Sequence, residues 1–270
     1  MILDHQNGLF LMRHDHLGER SWRNDDCYKL IYSSFGKGTF QTKRNDLAIA
    51  SDEFLIVNPR VEHKQLQITQ EKFLVELNQS FLRDVAAELN LPIKNPEFAL
   101  LSFKHPQISR WAIFVREFML LNDDASAEMK QLFIESSLAQ LAILMFQHGP
   151  GSHLHELPTV QATDELQMVI NALKDSYDED WTLNGMATVS GLNKYQFAHL
   201  FKETTGLSSY SWLQMYRLMK SHHLLTQTTT TILAIALQVG FKNVGAYNNL
   251  FKRVYGKTPT AFRGLYHKNK

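Results

Sequence analysis

The chain of 270 residues holds a single cysteine, Cys27. It can close no internal disulfide and build no multi-cysteine zinc site, a usage that suits a reducing cytoplasm. No apolar run is longer than the six residues Leu141 to Phe146, whereas a bilayer span needs about 20, so no membrane-crossing segment is expected. Asp4 and His5 stand where an export signal would need an apolar stretch, so no export is expected either. There is no P-loop, no Gly-x-Gly-x-x-Gly and no Ser-His-Asp spacing. With 44% hydrophobic and 20% charged residues, disorder is excluded as the main state. The length fits about two domains of roughly 100–200 residues each.

Acid is what the last third lacks. From Trp181 to Lys270 there are eleven Lys or Arg against one acid, Glu203, a net charge of +10. The first 180 residues carry 17 bases and 26 acids, a net −9. The overall +1 therefore hides two opposed halves. A 90-residue segment at +10 has the footprint of a polyanion-binding module, which the acidic half would repel.

The first 80 residues predict short strands. Tyr28, Leu30 and Tyr32 alternate with Lys29 and Ile31, the turn Gly36-Lys37-Gly38 follows, and Phe40 resumes an extended run. Phe54 to Val57 ends at Asn58-Pro59, and Phe73, Val75 and Leu77 alternate with Leu74 and Glu76. Such a series implies an antiparallel sandwich or barrel. From about Pro106 the period becomes helical: Trp111, Phe114, Val115 and Phe118, then Leu138, Leu141, Ala142 and Met145. The second helix is apolar off its main stripe as well, at Phe133, Ile143, Leu144 and Phe146. Residues 148–158, with Gly149-Pro150-Gly151, predict a linker. Beyond it everything reads as helices divided by Gly or Ser turns.

Those helices repeat. Leu200-Phe201-Lys202 recurs as Leu250-Phe251-Lys252, and Gly206 as Gly256, at an offset of 50; Ala187 matches Ala236 and Gly191 matches Gly240 at 49. Each copy is a short apolar helix, a glycine turn and a second helix, the pattern of a helix-turn-helix. Asn193 and Asn243 stand at the N-cap of each second helix. With Phe197, Leu200 and Phe201, or Tyr247, Leu250 and Phe251, turned inward, the residues between face out. Gln196, His199, Asn248 and Asn249 can bond base edges, while Lys202, Lys252 and Arg253 suit phosphates. Lys194 and Tyr195 complete the expected DNA-binding set.

Residues 183–263 closely resemble the double helix-turn-helix domain of the AraC/XylS family of bacterial transcription regulators. The resemblance rests on Leu183 to Leu192 with Phe197 to Gly206, Arg217-Leu218 through Leu225, Ile232 to Phe241, and Phe251-Lys252 through Gly256-Lys257-Thr258-Pro259 to Phe262-Arg263. It implies a helix near 210–226 bridging the two motifs, which enter successive major-groove turns about 34 Å apart. Two positions depart from the family. Gly185 sits inside a helix, at about 1 kcal/mol against alanine. Val244-Gly245-Ala246 replaces the polar reading residues usual there, so the second motif is expected to add phosphate and van der Waals contact more than hydrogen bonds.

In the amino-terminal half, Asp52 to Pro59 with His63 loosely resembles the signature of cupin-like effector domains, with Ser51 at the expected glycine. A metal cupin would offer paired histidines where this chain has Trp22-Arg23-Asn24; His14 and His16 have that spacing but lie earlier. No metal and no cofactor are therefore expected. Arg23, Tyr28, Tyr32 and His63 are the expected lining of a small-molecule effector pocket inside the barrel. Cys27, without an activating basic neighbour on a helix, is expected to be an inert thiol.

The expected architecture is α+β and multidomain. It comprises a cupin-like antiparallel β-barrel over 1–90, a helical linker and dimerisation segment over 91–150, and an all-α domain over 160–270 with motifs at about 183–202 and 232–252. The expected function is a cytoplasmic, sequence-specific regulator of transcription, an activator by resemblance, with double-stranded DNA, an effector, a second copy of itself and RNA polymerase as partners and no membrane. The alternative is a metal-dependent cupin enzyme with an appended nucleic-acid-binding domain.

Overall fold

A computed structural model of the chain describes residues 1–13, 21–43, 46–68, 71–91, 96–149 and 162–267. The chain divides into two compact units, Met1–His153 and Leu154–Lys270. Both the His14/His16 pair and most of the expected linker lie outside the described residues. No described helix is long and apolar enough to cross a membrane.

The first unit carries strands β1 (Ile2–His5), β2 (Gly8–Arg13), β3 (Cys27–Ser33), β4 (Gly38–Thr42), β5 (Asp46–Ile49), β6 (Glu53–Val57), β7 (His63–Ile68), β8 (Lys72–Asn78) and β9 (Ser102–Phe103). They form two antiparallel sheets, one of six strands in the order β1-β2-β8-β3-β6-β9 and one of three in the order β5-β4-β7. The expected cupin-like antiparallel barrel is not closed: its strands form two sheets that share no ladder among the described residues. Alternation within each strand was legible, but which strands pair is decided by distant partners.

Between the sheets lies an apolar layer of Ile31, Leu55, Val57 and Leu74 from the larger sheet and Phe40, Ile49 and Ile68 from the smaller. The larger sheet's other face is covered by α2 (Pro106–Leu121) and α3 (Ala127–His148), which follow α1 (Gln79–Glu88). Trp111 of α2 lies edge-on to Phe10 at 6.0 Å, and Phe146 of α3 meets Phe98 at 6.4 Å. Central strand β3 is thus buried on both sides.

This layering places the tyrosines away from the inter-sheet layer. Tyr28 and Tyr32 share parity with Leu30 and point to the helix side: the Tyr28 hydroxyl donates to Pro96 O at 2.6 Å with its ring against Phe98, and the Tyr32 hydroxyl donates to Asp52 Oδ1 at 2.8 Å. The expected interior lining is corrected accordingly. On a strand covered by protein on both faces, alternation tells two sides apart without saying which is inner. Lys29, of the opposite parity, is 2% exposed and pairs with Asp25 and Glu76. Half-buried Cys27 lies on that side too; burial and the Glu76 carboxylate push its thiol up to about 12, which disfavours the thiolate.

Pro106 opens α2 at the position where its missing N–H costs nothing. Ser126 caps α3 by accepting from Met129 N at 3.2 Å. His105 and His148, at the start of α2 and the end of α3, stack with ring centroids 3.9 Å apart. Burial, and then the His148 ring, pull His105 down to about 4, so His105 is neutral at pH 7, and burial lowers His148 as well. Arg116 of α2 grips the buried carboxylate of Glu71 with both arms, at 2.6 and 2.8 Å.

The second unit is a bundle of α4 (Asp164–Asp175), α5 (Leu183–Ser190), α6 (Lys194–Thr205), α7 (Ser209–Gln227), α8 (Ile232–Gln238), α9 (Val244–Tyr255) and α10 (Pro259–His267). Its core gathers Trp212 and Tyr216, stacked at 5.4 Å, with Phe197 and Phe201 around the first motif. Tyr247, Phe251, Tyr255 and Phe262 do the same for the second. His222 is half-buried against Phe262 at 4.7 Å.

Candidate nucleic-acid interface

Each motif is two helices across a glycine in the left-handed region. Gly191 ends α5 at φ +69°, and Gly240 follows α8 at φ +88°. At Gly240 a Cβ would also lie 2.7 Å from the Asp178 backbone, so the second turn needs glycine for space as well as for φ. The asparagines cap as their position requires. Asn193 Oδ1 accepts from Tyr195 N at 3.1 Å and Gln196 N at 3.0 Å, and Asn243 Oδ1 accepts from Ala246 N at 2.7 Å. The start and direction of α6 and α9 are thereby fixed.

On α6 the inward stripe is Phe197, Phe201 and Thr205. Lys194, Tyr195, Gln196, His199 and Lys202 are all exposed. Tyr195 is 77% exposed, with the Lys194 ammonium 5.0 Å from its ring centroid. Gln196 Oε1 accepts from Asn193 Nδ2 at 2.6 Å, which holds the amide at the helix start. His199 Nε2 lies 3.4 Å from Glu203 Oε1. Glu203, the one acid of the basic segment, is a face residue that sequence reasoning passed over; its spacing of four from His199 was the available signal.

On α9 the stripe is wider: Tyr247, Phe251, Val254 and Tyr255 are all buried. Asn249 and Arg253 face solvent as expected, and Lys252 is half-buried. Asn248 departs from expectation. It is half-buried, and its side-chain carbonyl is turned inward without a hydrogen-bond partner. Val254 and Tyr255 add core positions beyond the three read from the sequence.

Not every cation of the segment faces outward. Arg217 on α7 is 5% exposed and donates to Tyr177 O and Glu179 O, both at 2.6 Å, fastening α7 to the loop before α5. Its burial pulls the guanidinium below its ordinary value. Arg263 on α10 donates to Thr230 O at 2.6 Å, in the loop before α8. Each motif is thus tied from the helix after it to the loop before it. Lys220 sits over the Tyr216 and Tyr177 rings at 5.0 and 5.9 Å.

In the first unit, Arg23 and His63 come together. They exchange both backbone hydrogen bonds, at 2.9 and 3.0 Å. Asp25 lies between their side chains, 3.2 Å from Arg23 Nη2 and 3.9 Å from His63 Nε2. Among the described residues no group of three or more His, Cys, Asp and Glu is placed to hold a metal ion.

Two capped helix-turn-helix motifs in one small bundle define a class of helical domain, and comparison with known proteins gives its family. Residues 186–264 match the family described as a helix-turn-helix domain. The HTH-type transcriptional regulator MtrA of Neisseria gonorrhoeae is 30% identical over 95 residues, 35% of this chain and 32% of its own length. The transposon Tn10 TetD protein of Escherichia coli is 31% identical over 101 residues, 37% of this chain and 73% of its own. Among solved structures, ToxT from Vibrio cholerae is 14% identical and covers 96% of this chain and 98% of its own, with a TM-score of 0.36. The chain belongs to the AraC/XylS family of transcription regulators. It spans between about a third and a half of the length of the first curated relatives it matches.

Proposed function

We propose that the chain is a sequence-specific regulator of transcription, acting as an activator from the cytoplasm, that grips double-stranded DNA through α6 and α9. The observation that carries this reading is the pair of capped helices whose core stripes are buried while Tyr195, Gln196, His199, Asn249 and Arg253 stay exposed on a segment, Trp181 to Lys270, that holds a single acid. Base edges accept and donate to such amide and imidazole groups, and phosphates take the lysines and Arg253.

A small effector bound in the first unit would govern that grip. Arg23 and His63, held side by side with Asp25, supply polar groups for it. Tyr28 and Tyr32, bonded to Pro96 O and Asp52 on the helix side, would relay its presence to α2 and α3. Those helices expose Phe114, Leu121, Met129 and Leu132, which suits them to a dimer contact, and RNA polymerase is the proposed further partner. The ligand acts by its differential affinity for two arrangements of the chain.

The test is selection of duplexes from a random-sequence pool by the full chain, followed by two variants on the selected duplex. His199→Ala should relax the preference at one base pair, with a loss of about 5- to 100-fold confined to the preferred sequence. Lys252→Ala should weaken all duplexes alike. A pool from which no sequence is enriched would overturn the proposal.

A further inference from the structure

The two recognition helices share a scaffold and oppose one another in chemistry. At the fixed offset of 50, Lys194, Tyr195, Gln196, His199 and Glu203 of α6 stand opposite Val244, Gly245, Ala246, Asn249 and Arg253 of α9. The caps are the same residue and the buried Phe201 and Phe251 coincide, so the two outer faces compare position by position. Where α6 begins with three long side chains, α9 begins with a surface no deeper than a methyl group at its two exposed positions, Gly245 and Ala246.

The fold does not account for Gly245. It is not in the left-handed region, and in a helix it is about 1 kcal/mol less favourable than alanine. A Cβ there would approach only Asn243 Oδ1, at 3.2 Å. Tyr195 occupies the same place beside an asparagine cap in the first motif, and that cap still forms, so a side chain is compatible with the geometry. What glycine does provide is close approach of something from outside, the use that bare backbone has at ligand surfaces.

Resting on the regulator reading above, we propose that α9 identifies its segment of the DNA by thymine methyl groups, packed against Ala246 and the bare backbone at Gly245, with Asn249 bonding the adjacent adenine. Asn249 is exposed and lies three residues after Ala246, on the same side of the helix. An alanine methyl against the thymine C5-methyl and an asparagine amide on adenine N6 and N7 are matched pairs in the major groove. The absence of bulk at 245 and 246 lets the short Asn249 side chain reach the base edge. The first helix, with longer reading groups and Glu203 beside His199, reads hydrogen-bonding edges instead. The two segments of one site are therefore recognised by different means.

The experiment uses the full chain and the duplex it selects from a random pool. Each thymine is replaced in turn by uracil, which removes the C5-methyl and leaves every hydrogen bond. His199→Ala assigns the α6 segment as the one whose preference it relaxes. The expected result is a loss of about fourfold per methyl, the effect of returning one such group to water, at one or two thymines of the other segment and none in the α6 segment. Ala246→Gly should abolish that uracil effect, and Asn249→Ala should relax the adenine preference beside it while the uracil effect persists. Indifference to uracil throughout the α9 segment, or sensitivity confined to the α6 segment, overturns the inference while the regulator reading stands. A pool without an enriched sequence overturns both.

Discussion

Raising monovalent salt fourfold, from 50 to 200 mM, should weaken the binding of one chain to duplex DNA by about 10³-fold. Of the nine Lys and Arg of the basic segment among the described residues, Arg217 and Arg263 bond loop carbonyls inside the bundle and Lys220 covers two tyrosine rings. The other six are counted against phosphates: Lys194, Lys202, Lys252, Arg253 and Lys257 on the two motifs and the turn after them, and Lys242, which exchanges its exposed Asp180 partner at 3.1 Å for a phosphate. Each neutralised phosphate releases condensed counterions, with a slope of about −0.9 per contact in log affinity against log salt. Six contacts give a slope of about −5. A titration by fluorescence anisotropy at several salt concentrations checks it. A slope of about −8 would mean that Arg217, Arg263 and Lys220 also meet phosphates, and a flat response would remove phosphate neutralisation from the account.

Arg217→Ala should destabilise the second unit by about 3 kcal/mol. The change leaves Tyr177 O and Glu179 O without the guanidinium that satisfies them at 2.6 Å, and charge-assisted bonds of this kind contribute about 1.5–3 kcal/mol each. It also frees the loop that enters α5 and packs against Gly240, so both motifs lose their setting. Arg217→Lys should restore little, because one ammonium cannot replace a planar fork that reaches two carbonyls at once. Chemical denaturation of the full chain followed by tryptophan fluorescence, with Trp181 and Trp212 in this unit, measures the loss. Lys252→Ala, on the outer face, should leave the transition unmoved, which separates structural from DNA-contacting cations.

That separation marks where sequence reading stops. The charge split was legible because it is a matter of composition, and the glycine turns and asparagine caps because helix ends are marked by residues within a turn of them. The inward turn of Asn248 was not, since the spacing that puts Tyr247 and Phe251 in the core leaves position 248 on the outer side. Nor was the burial of Arg217, whose partners lie 38 and 40 residues earlier in the chain. In the first unit the alternation of β3 was correctly read as a strand. Its two faces were assigned the wrong way round, because helices that cover Tyr28 and Tyr32 come from residues 106–148, far from the strand in sequence. Arg23 and His63 were singled out separately, and their backbone pairing came only with the sheet.

The central claim is that α6 and α9 enter the grooves of one duplex together. Hydroxyl-radical footprinting of the full chain on its selected DNA tests this most directly. The account predicts two patches of protection about one helical turn apart on a single face of the duplex for each protomer, the α6 patch weakened by His199→Ala and the α9 patch by Arg253→Ala. A single patch, or two patches on opposite faces, would contradict it.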